Sequence, residues 1–241
     1  MPVPSLRGKR IVVIGGTSGI GEAVVESALA EGATVIIGSS NDANVRATVA
    51  KFGGESTGLV INVREEDSVA AFFGTVGAFD HLVYTAGDWG HSGPPVPFAE
   101  IDLRGAAAGY DVRYWGALAC IKHAQGRLAA DGSVTLTDGV LAHRPRKGVA
   151  VMSSMLGAIE NVARALSVEL APLRVNVVCP GIVLTERWKK MPEEQRNKMT
   201  ATQPLPRCCE PGEIAEAYLY LMRGGFITGQ TLIVDGGRTL V

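Results

Sequence analysis

RIVVIGGTSGIGEAVVESALAEG, residues 10–32, decides the fold. Arg10–Ile14 is an apolar run without polar alternation, as in a strand buried on both faces of a parallel sheet. Gly15, Gly16, Gly19 and Gly21 then let the backbone turn tightly, and the chain continues as a helix over Gly19–Glu31. In that order the free amides and the positive dipole end of the helix meet at one spot, where a pyrophosphate is stabilised. A glycine-rich turn alone is weak evidence; after an N-terminal strand and before a helix it becomes strong.

The same rhythm continues outward. Short runs rich in Val and Ile fall at Thr34–Gly38, Leu59–Asn62, His81–Tyr84, Ser133–Thr137, Val175–Cys179 and Thr231–Val234. Helix-like stretches separate them at Ala43–Phe52, Glu65–Val76, Ala106–Leu128, Val149–Leu170 and Pro211–Met222. Parallel strands need crossover helices, so the expected fold is α/β, a single doubly wound parallel sheet of Rossmann-like type with helices on both faces. No linker or repeat divides the chain, which reads as one domain over 1–241. Thr185–Pro206 breaks the rhythm with mixed charge, Trp188 and three prolines. Such an excursion after a strand reads as a lid over a ligand crevice or as a solvated helical insertion.

Composition excludes several classes. The 241 residues are 46% hydrophobic with mean hydropathy +0.18, which rules out a disordered chain. With 23 basic and 24 acidic residues, the net charge of −1 argues against non-specific nucleic-acid binding. No apolar run reaches the ~18 residues of a membrane span, and Met1–Arg10 lacks the apolar core of a secretory signal. A soluble cytoplasmic protein is expected. Cys120, Cys179, Cys208 and Cys209 read as reduced thiols. The scattered His81, His91, His123 and His143 suggest no metal cluster.

The turn has the spacing Gly-x-x-x-Gly-x-Gly. Tyr84-Thr85-Ala86-Gly87, Arg174–Gly181 (RVNVVCPG), Ile227-Thr228-Gly229-Gln230 and Val234-Asp235-Gly236-Gly237 follow in order. On these motifs nearly the whole chain resembles the short-chain dehydrogenase/reductase family. The resemblance implies a dinucleotide held by Gly15, Thr17, Ser18, Gly19, Ile20, Ser39, Ser40, Asn41, Asn62, Val63, Thr85, Ala86, Gly87, Ile182 and Thr185, and a homotetramer. The second strand ends in Gly38-Ser39-Ser40-Asn41, without the carboxylate that accepts from the ribose of NAD. Its hydroxyls and amide can donate to a 2′-phosphate, which favours NADP(H), and Arg46 would add charge if its helix faces the site. The same residues also read as a polar turn capping the next helix.

Tyr-x-x-x-Lys, the family's proton-transfer pair, does not occur. Aligned from Ala165–Leu170, Met152 takes the tyrosine position, Leu156 the lysine position and Gly139 the serine position. VRYWGAL puts Arg113 where the family has asparagine. Met152 and Leu156 are i,i+4 neighbours and present an apolar wall. Arg113 and Asp138 bring new charge beside it, and buried they would be expected to pair.

An ionised Asp138 would favour a cationic electrophile, and reduction of an iminium needs no acid at the reacting carbon. Arg113 would orient Asp138 or hold an anionic substrate group. Loss of the tyrosine and lysine is shared with malbrancheamide-type fungal reductase/Diels–Alderases, a subgroup that the chain resembles at Arg113 and Asp138. That resemblance implies NADP(H)-dependent hydride transfer to an imine, an iminium or an activated carbonyl of a hydrophobic, alkaloid-like substrate, with cyclisation as a coupled step. A catalytically silent NADP(H)-binding scaffold and a redox-neutral cyclase are the alternatives. Trp89, Met152 and Trp188 are expected against a flat substrate, though tryptophans in such places also serve plain packing.

Overall fold

β1 (Arg10–Ile14) lies inside the sheet, where its apolar side chains alternate between two cores. Val12 and Ile14 join one, Ile11 and Val13 the other, and all four are at most 1% exposed. This burial on both faces explains the unalternating apolar run. The computed structural model of the chain describes residues 5–87 and 95–241.

The other strands are β2 (Thr34–Ser39), β3 (Ser56–Val60), β4 (Phe79–Tyr84), β5 (Leu128–Thr137), β6 (Arg174–Pro180) and β7 (Thr231–Val234). All pair in parallel, in the order β3-β2-β1-β4-β5-β6-β7. The direction of winding reverses between β1 and β4, which opens a crevice at the carboxyl ends of the strands.

Helices cover both faces. On one side α3 (Glu66–Val76), α5 (Gly116–Ala124) and α6 (Ala150–Glu169) contribute Phe72, Phe73, Cys120, Met155, Leu156 and Ile159. On the other, α1 (Gly19–Ala30) and α9 (Pro211–Arg223) contribute Val24, Val25, Ala28, Ile214 and Tyr218. α2 (Asp42–Phe52) and α4 (Leu103–Ala107) complete the first half. No helix among the described residues is long and apolar enough to cross a membrane.

The largest departures from expectation are at β3, at the helix before β5 and in the 185–206 segment. β3 starts at Ser56 rather than Leu59, because Ser56–Val60 pairs with Val35–Ser39. The single helix expected over Ala106–Leu128 is α4, a π-helical turn at Asp111–Trp115 and α5. Its last residue, Leu128, instead opens β5. Gly126 turns the chain at φ 79°, and the Phe79 N–H donates to the Arg127 carbonyl, which draws the chain onto the sheet. Within 185–206, α7 (Glu186–Lys189) and α8 (Glu193–Thr200) form two short helices.

Candidate active site

A cavity of about 1270 Å³ runs along the carboxyl ends of the strands. Gly15, Thr17, Ser18, Gly19 and Ile20 line one end, followed by Ser39, Ser40, Asn62, Val63, Thr85, Ala86 and Gly87. Ile182 and Thr185 line it from beyond β6. Here the glycines are sterically required. A Cβ at Gly21 would sit 2.2 Å from the Gly15 carbonyl oxygen and 2.4 Å from Thr85 Oγ1. Gly15 has φ 89°, and a Cβ there would approach the Ala86 nitrogen to 2.6 Å. Ser18, the N-cap of α1, makes no side-chain capping bond, leaving the first-turn amides to the cavity. These residues fit a dinucleotide, with the pyrophosphate over the start of α1.

At the end of β2, Thr17 Oγ1 donates to Ser39 Oγ at 3.1 Å, and both residues line the cavity. Asn41 is absent from that lining. It caps α2, its Oδ1 accepting from the Asn44 N–H at 2.9 Å. Arg46 does not line the cavity either: it pairs with Asp42 on an exposed face of α2, so the charge expected from it is spent there.

The four substituted positions lie together at the middle of the cavity. Arg113, Gly139, Met152 and Leu156 all line it. A Cβ on Gly139 would be 3.6 Å from Leu156 Cδ1, so the serine and lysine positions remain adjacent, now apolar. Arg113 is buried in the π-helical turn. The Tyr84 hydroxyl donates to the Val112 carbonyl one residue earlier, anchoring the turn to the end of β4. A Cβ on Gly87 would fall 2.4 Å from Arg113 Nη2, so the guanidinium rests on the glycine that follows Ala86.

The expected Arg113–Asp138 ion pair does not form. Asp138, 4% exposed at the end of β5, sits instead beside Glu160 of α6. Neither Asp138 oxygen has a hydrogen-bond donor of ordinary geometry among the described residues. Burial first, and then Glu160 alongside, raise the Asp138 carboxyl to about 9. The buried Asp138–Glu160 pair therefore favours holding a proton, a direction opposite to the expected ionised carboxylate.

Cys179 of β6, wholly buried, and His143, at the solvent edge, complete the cluster. One ligand atom each of Asp138, His143 and Cys179 lie within 4.8 Å of one another. The His143 Nε2 is 2.6 Å from Glu160 Oε1. Burial raises the Cys179 thiol, so it too holds its proton. Sequence spacing hid this grouping, because it joins two strand ends, a loop and a helix. Glu160 carried a legible signal: it stands on the apolar stripe of α6 with Met155, Leu156, Ile159 and Ala163.

Trp188, with Met191, Met199 and Thr202, walls the cavity from the 185–206 segment, and Met152 faces it from α6. Trp89 lies outside the described residues. Trp115 is 59% exposed and meets Tyr114 edge-on, away from the cavity lining.

A family model described as enoyl-(acyl carrier protein) reductase matches residues 15–239. A short-chain dehydrogenase/reductase of Stachybotrys chlorohalonatus, ATR9, is 33% identical over 99% of this chain and 100% of its own. The MalC reductase/Diels–Alderase of Malbranchea aurantiaca superposes with TM-score 0.90 at 28% identity, over 98% of both chains. An NADPH-bound short-chain oxidoreductase of Pseudomonas aeruginosa PAO1, containing an atypical catalytic centre, superposes at 0.86 with 27% identity, over 95% of this chain and 96% of its own.

Proposed function

The chain belongs to the short-chain dehydrogenase/reductase family, and from that membership we propose that it is an NADP(H)-dependent reductase of a neutral imine or activated carbonyl, with Asp138 as the acid. The observation that carries this reading is the position of Asp138 in the lining of the cavity that begins at the glycine turn, its carboxyl buried beside Glu160 and so shifted toward the protonated form. The site has neither the family's tyrosine nor its lysine, and among the described residues Asp138 is the acid placed to supply a proton.

Gly15–Gly21 would hold the pyrophosphate. Thr17, Ser39 and Ser40 would donate to a 2′-phosphate, and Thr85–Gly87 with Ile182 and Thr185 would flank the nicotinamide. When bound, the reduced nicotinamide supplies the hydride. Asp138 would donate its proton to the acceptor nitrogen or oxygen as charge develops there. Arg113, held against Gly87 by the π-helical turn, would orient the acceptor. Met152, Leu156 and Trp188 would exclude water and favour a hydrophobic substrate. The likeness to a reductase/Diels–Alderase supports a coupled cyclisation in the same apolar cavity.

The test is NADPH oxidation, followed by absorbance, over a panel of cyclic imines and activated ketones. Turnover of at least one acceptor, reduced about 100-fold or more in Asp138→Asn, is expected. Dinucleotide binding without turnover of any acceptor would favour a silent module, and product formation without NADPH loss a redox-neutral cyclase.

A further inference from the structure

The far half of the cavity is cationic. Arg144 and Arg146, in the loop after β5, and Arg238, after β7, all line it. The glycine turn and Ser39 belong to the β1–β3 half of the sheet, so these arginines lie on the opposite half, past Asp138. The three crowd one another. Arg144 Nη1 donates to the Arg238 carbonyl at 2.7 Å, and the charges of Arg144 and Arg146 add to burial in lowering the Arg238 guanidinium below its ordinary value.

No salt bridge to Arg144, Arg146 or Arg238 forms among the described residues. Asp235, the acid nearest in charge effect on Arg238, spends its oxygens on backbone amides: Gly237 N–H at 2.9 Å and Thr239 N–H at 2.7 Å. Of the two acids in the lining among the described residues, Asp138 is buried beside Glu160 and shifted toward its neutral form, and Glu186 is paired with Lys189. A chain of net charge −1 thus gathers three like charges at one end of one cavity. Such repulsion is relieved by a bound anion, and the planar forks of arginine match carboxylate and phosphate oxygens.

We propose that Arg144, Arg146 and Arg238 form a subsite for an anionic group of the substrate, a carboxylate or a phosphate monoester, carried on the apolar body that enters toward Met152 and Trp188. The subsite sets specificity; it takes no part in proton or hydride transfer. The inference rests on the reductase reading only for where the reacting carbon lies.

Isothermal titration with benzoate, phenyl phosphate and neutral benzyl alcohol tests it, on the protein with and without saturating NADPH, whose own binding is followed separately by nicotinamide fluorescence. At least one anion is expected to bind tenfold or more tighter than benzyl alcohol, and which one identifies the group. That preference should shrink tenfold in Arg146→Gln, whose side chain makes no hydrogen bond or salt bridge within the described structure, and in 0.5 M NaCl, with NADPH affinity unchanged. Equal affinity for the charged and neutral probes, or an anion affinity unaltered in both Arg146→Gln and Arg144→Gln, overturns the subsite. Anion binding in a protein that does not bind NADPH would overturn the reductase reading and leave the subsite standing.

Discussion

Gly87 and Arg113 occupy complementary space: a Cβ on residue 87 would lie 2.4 Å from Arg113 Nη2, 2.7 Å from Cζ and 3.0 Å from Nε. The glycine at the end of the β4 loop and the arginine of the π-helical turn are therefore one design. Gly87→Ala, whose backbone needs no positive φ, forces the flexible guanidinium aside at a cost of about 1 kcal/mol. Thermal melts of Gly87→Ala, Arg113→Ala and the double variant should give a coupling above roughly 0.5 kcal/mol, because without the guanidinium the added methyl meets no obstacle.

Asp138 makes stability depend on pH in an unusual direction. An aspartate in the unfolded chain loses its proton near pH 3.8, whereas in the fold it does so at about 9. Between those values the folded protein binds the extra proton, so stability falls as pH rises toward 9. Wild-type Tm should decline from pH 5 to pH 9, and Asp138→Asn should remove most of that slope. Glu160→Gln, which takes away the neighbouring negative charge, should let Asp138 ionise at lower pH and move the alkaline limb of the rate profile toward neutrality. A limb unmoved in Glu160→Gln would contradict the carboxyl pair.

The proposed function puts the dinucleotide preference at Ser39. Wild type should bind NADPH more tightly than NADH in a fluorescence titration. Ser39→Asp introduces a carboxylate that repels a 2′-phosphate and accepts from a 2′-hydroxyl, so NADPH affinity should fall tenfold or more while NADH affinity rises.

Tyr84 anchors the turn that carries Arg113. Burial keeps its phenol protonated well beyond the ordinary range, and its hydroxyl donates to the Val112 carbonyl. Tyr84→Phe leaves that carbonyl without its donor, a loss of about 1–3 kcal/mol. For a chain of this size each kcal/mol is worth roughly 2–4 °C of Tm, which calorimetry reads directly.

The arrangement of the sheet was legible in the linear chain because a strand buried on both faces needs an uninterrupted apolar run, and Arg10–Ile14 and Val175–Cys179 have one. The glycine turn was legible too, since Gly15 and Gly21 are places where any Cβ meets backbone. So was the loss of the proton-transfer pair, which needs only the identities of Met152 and Leu156. Tertiary packing decided the rest. The choice between the two readings of Asn41 fell to the cap of α2, and Arg46 pairs with Asp42 on the face of α2 that the fold leaves exposed. Asp138 found Glu160 and Cys179 rather than Arg113, surroundings that favour its protonated form. The charge of a buried carboxyl is set by the dielectric and the neighbours that folding brings to it, and those come from distant parts of the chain.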